Sequence, residues 1–507
     1  MDNWRGSPHK ILLVISLLMG LAMLPTISGC VQGPTSTINK VIQAVGDLQP
    51  FPKATEKEYK RFAIAFQNKT ISHEESDDQL KYFRFAFKRI RTSYVRRVDD
   101  AKLIDVAIKG MQEADPKLKV GPRGLVEAAL DAITKSLDPH SGFMNAQEFN
   151  ESFVHTKGEF GGLGIEVTMQ DGFVKVVAPI EDTPAARAGM QSGDLIVEVD
   201  GEPIKGLSLA QAVRRMRGHP GDAIDLVVRR DGQPDFSIQI IRAIIKVRAV
   251  RWHTIDRFAY IRVSRFSERV QSGIAQAFSD IREDLGGAPL GVILDLRNNP
   301  GGLLDQSVVL ADAFLDDGEI VSVRGRTLRD QRSFSATDGD LAAGTPMIIL
   351  VNGGSASASE IVASALKHHN RATVMGTQTF GKGSVQTIIP MPREGALRLT
   401  TALYYGADGH TIQARGVLPD ILIEPQKAPG SKDRRESDLP GAIPAESDQL
   451  QKSATPKILI ENCPAADAPR RTGREQGKDR ILGCALAYLS AGSEEKFLAA
   501  HGVQRQM

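Results

Sequence analysis

Two glycine-rich segments pair a serine with a lysine in a pattern suited to acyl transfer. Residues 352–360 (NGGSASASE) place Ser357 after the apolar run MIILV, and residues 376–386 (GTQTFGKGSVQ) place Lys382 between two glycines. Small residues let the backbone pass close to a substrate, and a serine at a strand-to-helix turn projects its hydroxyl into that space. The pattern therefore suggests a nucleophilic serine with the lysine as its base.

Both residues also have structural interpretations, which the local sequence leaves open. Ser357 and Glu360 form the Ser-x-x-Glu pattern of a capping box, so the serine could simply begin the next helix. A lysine between two glycines could equally be a solvated loop residue. Lys382 shifts the balance toward chemistry. A serine hydrolase needs a base, the histidines offer no obvious triad and the sequence contains no GxSxG motif, so the lysine is the candidate base.

A lysine can act as a base only if its amine is neutral. Burial would have to lower the pKa of Lys382 from ~10.4 toward about 7–8, which costs on the order of 4 kcal/mol, so the pocket must be dry. Gln386 is a suitable partner, because its amide can orient a neutral amine without stabilising the charged form as a carboxylate would. Residues four apart on a straight strand lie ~13 Å apart, so we expect the chain to bend at Gly383.

Acyl transfer also needs amide donors aimed at the oxyanion. The amide of Ala358, directly after the candidate nucleophile, is one candidate. Residues 298–302 (NNPGG) follow the apolar strand GVILDL and should lie at the same edge of the sheet, so they could supply a second donor. A tight turn into the next helix would explain their glycines equally well.

The elements that must position these residues fall into several domains. At 507 residues the chain is long enough for roughly three. Helical periodicity dominates residues 57–156, short strands and turns fill 157–245, and buried strands alternate with helices over 246–425, which predicts a mostly parallel α/β core. The polar residues 426–456 are typical of a solvated linker, and 457–507 form a C-terminal region without an assigned role.

The pattern over residues 157–245 resembles that of a PDZ domain. Two strands, a short helix, a strand, a longer helix and a further strand follow one another in the order expected for that fold. Its glycine-rich beginning would be the carboxylate-binding loop, formed by Gly162, Leu163, Gly164 and Ile165. Such a loop holds the C-terminal carboxylate of a peptide that adds a strand to the domain.

The N-terminus has the features of an export signal. Two basic residues precede an apolar run, residues 11–24, which is too short to span a bilayer. The following ISGC resembles the bacterial lipobox, so we predict a lipoprotein-type signal peptide over 1–30, lipid attachment at Cys30 and a tether over 31–56. An uncleaved N-terminal anchor is the alternative.

Export would place the protein in the bacterial cell envelope, facing the periplasm. The position after Cys30 is occupied by Val31 and not by the acidic residue associated with inner-membrane retention. This slightly favours the outer membrane in a Gram-negative host. An oxidising compartment permits a disulfide between Cys463 and Cys484, with two free thiols as the alternative. Three cysteines in all exclude a disulfide scaffold, and a net charge of +2 gives no reason to expect a nucleic-acid partner.

Five motifs together resemble those of the C-terminal processing peptidases: LDPHSGFM (137–144), GGLGI (161–165), LDLRNNPGG (294–302), NGGSASASEI (352–361) and TFGKGSVQ (379–386). The resemblance implies a multidomain α+β protein in which a PDZ domain is inserted between a helical N-terminal region and a protease core of the crotonase/ClpP type. It implies Ser357 as nucleophile, Lys382 as general base and Gln386 as the residue that positions the lysine. Gly302 and Ala358 would donate the oxyanion-hole amides.

We therefore expect an exported serine endopeptidase that captures apolar C-terminal tails of proteins through its PDZ domain and needs no cofactor or metal ion. An adaptor lipoprotein that delivers substrates and a homo-oligomer are both compatible with the sequence. The alternative from another class is a PDZ-bearing lipoprotein scaffold in which Ser357 and Lys382 are structural. A trypsin-like protease is excluded, because its catalytic core would precede the PDZ domain.

Overall fold

The computed structural model describes residues 50–70, 73–114, 121–180, 183–246, 248–424, 434–446, 455–467 and 477–503. The predicted signal peptide, with Cys30, and the predicted tether up to residue 49 lie outside these residues. The contacts between residues divide the chain into two compact units, Met1–Lys57 and Glu58–Met507. Within the described residues, no helix is both long and apolar enough to cross a membrane.

The described part of the N-terminal region contains five helices: α1 (Lys53–Gln67), α2 (His73–Ser93), α3 (Asp100–Glu113), α4 (Pro122–Leu137) and α5 (Ala146–Lys157). The tether was predicted to reach residue 56, but α1 already begins at Lys53, because the alanine, glutamates and lysines there are good helix formers. Phe83 and Phe87 of α2 are fully buried, and Phe83 stacks on Phe62 of α1 with ring centroids 3.6 Å apart. This aromatic stripe supplies the core of the helical region.

The predicted PDZ segment folds into a six-stranded antiparallel sheet with two helices. Its elements are β3 (Ile165–Gln170), β4 (Phe173–Pro179), α6 (Pro184–Arg187), β5 (Leu195–Val199), β6 (Glu202–Pro203), α7 (Leu209–Met216), β7 (Ala223–Arg229) and β8 (Phe236–Ile241). The sheet order is β3-β4-β5-β7-β8, with β6 on β5, so β3 lies at an edge. Ser208 and Gln211 form the capping box that starts α7.

A short ribbon joins the two ends of this domain. Strand β2 (Glu159–Gly162) pairs antiparallel with β9 (Ala243–Lys246), where the chain enters and leaves the insertion. Gly161 of the ribbon has no room for a side chain, since an added Cβ would lie 2.2 Å from the backbone oxygen of Gly218. The ends of the insertion are therefore paired with each other.

A seven-stranded sheet forms the centre of the core. Its strands, in spatial order, are β10 (Val250–Ile255), β11 (Phe258–Val263), β12 (Gly291–Asp295), β15 (Met347–Val351), β16 (Thr373–Gly376), β19 (Ile421–Glu424) and β20 (Lys457–Leu459). All neighbours are parallel except β10 and β11. Every residue of β12 and β15 is buried, as expected of strands covered on both faces. The predicted mostly parallel α/β core is confirmed.

Helices cover both faces of this sheet. On one face lie α8 (Val270–Leu285), α9 (Leu304–Asp312) and α10 (Ala358–His368), and on the other α11 (Arg480–Ala491) and α12 (Glu494–Ala500). Neighbouring residues of β12 serve the two faces: Leu294 packs in the first cluster and Ile293 in the second. Alternation along the strand thus distributes a continuous apolar run between two cores.

A second, antiparallel sheet carries part of the site. It contains β1 (Gly142–Met144), β13 (Glu319–Gly325), β14 (Gln331–Ser335), β17 (Ser384–Pro390) and β18 (Ala396–Gly406). The long strand β18 pairs with β1, β13 and β17. Because β1 belongs to the LDPHSGFM motif, this pairing brings the end of the helical region against the strand next to β17.

One predicted assignment near the C-terminus is wrong, and the unassigned region after it gains a role in the fold. Residues 434–446, assigned to a solvated linker, contain a 3₁₀ turn (Glu436–Asp438) and the buried residues Glu436 and Ile443. Glu436 is buried because its carboxylate finds partners inside, so a charged sequence did not mean a solvated one. The region after 457 is also part of the core, since it supplies β20, α11 and α12; two short strands, β21 (Ala466–Asp467) and β22 (Lys478–Asp479), pair there. Cys463 and Cys484 form a disulfide.

Candidate active site

Ser357 occupies a strained turn between β15 and α10. Its backbone angles are φ 56° and ψ −112°, a conformation that non-glycine residues rarely adopt and that persists only where the surroundings enforce it. The Glu360 side chain reaches back to the Ser357 amide, with Oε2 2.7 Å from N, as in a capping box. The Glu360 amide itself donates to the backbone oxygen of Ser357 at 2.8 Å. Helix capping therefore explains Glu360 but not the strained angles of the serine.

The loop after β12 is tied to the serine turn by asparagines. The amide of Asn298 donates to Asn352 Oδ1 at 2.9 Å, and Asn352 Nδ2 donates to Asn298 Oδ1 at 3.0 Å. The backbone oxygen of Asn299 accepts from the amide of Ala356 at 3.0 Å and from Ser359 Oγ at 2.9 Å. These bonds fix two strand ends of the parallel sheet against each other.

The glycines of this loop approach the serine closely. A Cβ added to Gly301, whose φ is 96°, would lie 2.9 Å from Ser357 Cβ and 3.0 Å from the Ala358 nitrogen. A Cβ added to Gly302 would lie 2.0 Å from the backbone oxygen of Phe266. The structure thus brings the two segments expected to supply oxyanion donors into contact, and only glycine fits at either loop position.

Lys382 lies in the loop between β16 and β17. Its Nζ is 2.5 Å from Gln386 Oε1 and 3.4 Å from the backbone oxygen of Ser384. The contact between Lys382 and Gln386 is therefore present. The contact does not require a bend within a strand, because Lys382 precedes β17 and a bulge separates Val385 from Gln386 in the pairing with β18. Gly383 serves close approach instead: its added Cβ would be 2.3 Å from the nitrogen of Gln413.

Burial of the amine lowers the pKa of Lys382 from its ordinary value to about 8. Three carboxylates, of Glu436, Glu360 and Asp138, act in the opposite direction, and the guanidinium of Arg398 reinforces the lowering. Desolvation is the largest of these effects. An appreciable fraction of the amine is therefore neutral near neutral pH, as a general base requires.

One buried carboxylate connects the serine turn to the lysine loop. Glu360 is fully buried and accepts hydrogen bonds from the amides of Ser357 (2.7 Å), Gly381 (2.7 Å) and Lys382 (2.9 Å) and from Thr379 Oγ1 (2.5 Å). Burial raises the pKa of the Glu360 carboxyl, and its donors oppose that rise. In the sequence Glu360 has only the spacing of a helix cap, and nothing in that spacing indicates the contacts with residues 379–382.

Ser357 and Lys382 are neighbours through this carboxylate, but their reactive atoms are not directly bonded. Among the described residues, the structure has no hydrogen bond between Ser357 Oγ and Lys382 Nζ. Catalytic hydrogen bonds are often long in the absence of substrate and tighten when it binds. Cys463 and Cys484 form their disulfide on the face of the sheet that α11 and α12 cover, and Cys30 lies outside the described residues.

The predicted peptide-binding loop lies at the start of edge strand β3. The backbone oxygens of Leu163 and Gly164 accept hydrogen bonds from the amides of Ala185 (2.9 Å) and Ile180 (2.8 Å). Gly164 has a φ of 82°, and an added Cβ would lie 2.2 Å from Thr183 Cβ. Gly162 pairs within the ribbon and Ile165 begins β3. The loop is thus held through its carbonyl oxygens, next to a strand edge that can accept another strand.

The fold and this constellation define a serine-type peptidase with a PDZ domain. Residues 257–423 match peptidase family S41, and residues 175–230 match the PDZ domain family. A carboxy-terminal-processing protease of Bartonella bacilliformis is 48% identical over 400 residues, which cover 77% of this chain and 87% of that protein. The carboxy-terminal processing protease CtpA of Bacillus subtilis is 32% identical over 351 residues, covering 69% and 70%.

A solved structure of a photosystem II D1 C-terminal processing protease aligns with a TM-score of 0.43 and 27% identity, covering 70% of this chain and 94% of that one. The sequence matches to the relatives carry the assignment. The chain belongs to the carboxy-terminal-processing proteases of peptidase family S41.

Proposed function

We propose that this peptidase cuts its substrates with Ser357 as nucleophile and Lys382 as general base. The observation that carries the proposal is the environment of the lysine amine: it is desolvated, held by the neutral amide of Gln386, and fixed through its backbone to the carboxylate that also holds Ser357. A carboxylate in the place of Gln386 would favour the charged amine. An amide leaves the amine free to become neutral.

The reaction follows from these groups. The neutral amine takes the proton of Ser357 as Oγ bonds to the carbonyl carbon of the scissile peptide. The oxyanion accepts hydrogen bonds from the backbone amides of Ala358 and Gly302. Lys382 then returns the proton to the departing amine nitrogen as the C–N bond breaks. Water, deprotonated by the same lysine, then attacks the acyl carbon, and the lysine returns that proton to Ser357 Oγ as the ester C–O bond breaks.

Substrate selection is assigned to the PDZ domain. A C-terminal tail would add as a strand to the edge of β3, with its carboxylate at the amides of Leu163, Gly164 and Ile165. Partly buried apolar side chains of β3 and α7, among them Val167 and Val213, favour apolar residues in the tail. We infer that proteins with apolar C-termini are the substrates.

An unstructured polypeptide ending in apolar residues tests the mechanism. The full-length protein should cleave it, and Ser357→Ala and Lys382→Ala should both be silent. Lys382→Arg should also fail, because arginine does not lose its proton. Full turnover by Lys382→Ala would eliminate the lysine as base. A wild-type protein that binds the polypeptide without cleaving it would support the scaffold alternative.

We propose further that the protein is exported and anchored by a lipid at Cys30, facing the periplasm. The support is the sequence alone: a short apolar run followed by ISGC. Changing Cys30→Ser should abolish membrane retention or processing of the precursor. A variant that is processed and retained like the wild type would contradict lipidation.

A further inference from the structure

The LDPHSGFM motif has no role in the mechanism described so far, yet one of its side chains lies within the catalytic network. Asp138, at the end of α4, is only 2% exposed. Its Oδ1 accepts from the amides of His140 (2.8 Å) and Ser141 (2.9 Å), and its Oδ2 accepts from Ser141 Oγ (2.6 Å). Oδ1 also accepts from Thr400 Oγ1 of β18 at 3.1 Å. All its partners are donors, as a carboxylate requires.

These contacts determine the orientations of the Thr400 hydroxyl and of the Gln386 side-chain amide. A carboxylate only accepts, so the Thr400 hydroxyl gives its proton to Asp138 and keeps its lone pairs for another donor. That donor is Gln386 Nε2, at 3.3 Å. Nε2 also donates to Ser384 Oγ at 3.0 Å. With the NH₂ end of the amide committed on this side, the carbonyl end faces Lys382 Nζ at 2.5 Å.

We propose that Asp138 and Thr400 are positioning residues for the general base, which act by fixing the side-chain amide of Gln386 with its oxygen toward Lys382. The inference deepens the proposed function and rests on it. A reversed amide would present N–H groups to the lysine nitrogen and occupy the lone pair that must receive the proton of Ser357. The helical N-terminal region thus contributes to catalysis because its Asp138 helps to orient the side-chain amide of Gln386.

A change at Thr400 can test the orientation of the Gln386 amide without altering the charges around Lys382. The charged groups that face Lys382 are Glu436, Glu360, Asp138 and Arg398, and a change at Thr400 leaves all of them in place. The change Thr400→Val removes the hydroxyl and nearly preserves the shape of the side chain. Any displacement of the pH profile then reports on the amide and not on a lost charge.

The neighbouring residue provides a matched control. Thr401 also lies on β18, and its hydroxyl is 2.7 Å from that of Thr387, away from Lys382's partners. Thr401→Val makes the same chemical change on the same strand. Thr400→Ser restores a hydroxyl at the position under test and serves as the rescue variant.

The experiment measures kcat against pH for the full-length protein and its variants, with the apolar-tailed polypeptide as substrate. Thr400→Val should reduce kcat on the order of tenfold, the effect expected when a buried hydrogen bond that orients the base is lost. Its activity should rise at lower pH than that of the wild type, because the ammonium form has lost a carbonyl acceptor. Thr400→Ser should return both values toward wild type, and Thr401→Val should match wild type.

Three results would overturn the inference: a Thr400→Val profile equal to that of Thr401→Val, a lower kcat with an undisplaced pH profile, or no recovery in Thr400→Ser. Should the valine variant fail to fold in a thermal unfolding assay, Thr400→Ala removes the hydroxyl without placing a methyl group against Asp138, and the same pattern is expected. Activity in Lys382→Ala would instead refute the proposed function. If Lys382→Ala is silent and Thr400→Val resembles wild type, only the role of Thr400 and Asp138 is lost.

Discussion

The lysine pocket and the peptide-binding loop are built in different ways. Side chains from distant parts of the sequence, including Asp138, Glu360 and Glu436, surround Lys382, whereas the loop at Leu163 and Gly164 is held by backbone hydrogen bonds within its own domain. Turnover should therefore depend on many remote polar residues, and recognition on local backbone shape. Substitutions in the two regions should separate into effects on kcat and effects on KM.

Apart from changes at Ser357 and Lys382 themselves, the largest effect is expected for Glu360→Gln. A glutamine presents one NH₂ end to a site filled with donors, so at least one of the bonds to Ser357, Thr379, Gly381 or Lys382 is lost. We expect kcat to fall by roughly 100-fold and the free energy of unfolding by about 2–3 kcal/mol. Steady-state kinetics and urea unfolding measure both.

The exposed Glu283 provides the control for this change. Glu283→Gln makes the same substitution without disturbing either loop, and it should behave as wild type in both assays. A Glu360→Gln variant with the wild-type kcat would show that the serine and lysine loops do not need their shared carboxylate.

Gly164→Ala should affect the other region. The added methyl group would meet Thr183, which distorts the loop that is to hold the carboxylate. KM for an apolar-tailed polypeptide should rise on the order of tenfold, a loss of about 1.4 kcal/mol of binding, while kcat changes little. Gly189→Ala is the matched control, since Gly189 has a similar φ of 80° and open space around it. Equal effects of the two changes on KM would contradict a binding role for the loop.

Glu436→Gln removes a negative charge near the amine of Lys382. Its carboxylate raises the pKa of Lys382, so its removal should lower that pKa below about 8. Because the neutral amine is the active form, the rise of kcat with pH should move to lower pH. A pH profile measures the displacement, with Glu446→Gln, a residue of the same segment that binds the Tyr405 hydroxyl, as control. An upward displacement would contradict the assigned sign.

The smallest effect on turnover is expected from removal of the disulfide. Changing Cys463 and Cys484 together to serine should lower the free energy of unfolding by about 2–4 kcal/mol, since the unfolded chain gains freedom. The rate of peptide cleavage by the folded protein should stay close to wild type. Thermal unfolding with and without reductant, beside kinetic assays, distinguishes stability from turnover.

The sequence predicts those parts of the molecule that depend on local patterns, such as apolar runs and glycine-rich segments. The runs GVILDL and MIILV indicate strands buried on both faces, and β12 and β15 are such strands. The glycine-rich segments around Ser357 and Lys382 fall in loops at the ends of these and neighbouring strands. The order of strands and helices over residues 157–245 likewise resembles that of a PDZ domain.

Long-range polar contacts leave no comparable trace. Asp138 and Thr400 are far apart in sequence, and neither periodicity nor charge indicates that they meet. Glu436 lies in a segment whose polar composition predicted a solvated linker, yet it binds His140 inside the protein. The burial of a charge depends on partners that only the folded chain brings together.

The proposed mechanism requires a neutral Lys382 to deprotonate Ser357. The most direct test is the pH dependence of the first acylation of Ser357 by a small activated ester under single-turnover conditions, which removes substrate recognition and deacylation from the rate. The rate should rise with a midpoint at a pH of about 8 in the wild type, and the Lys382→Met variant should lack that rise. A midpoint near ~6.5 that persists in Lys382→Met would indicate a histidine base and contradict the account.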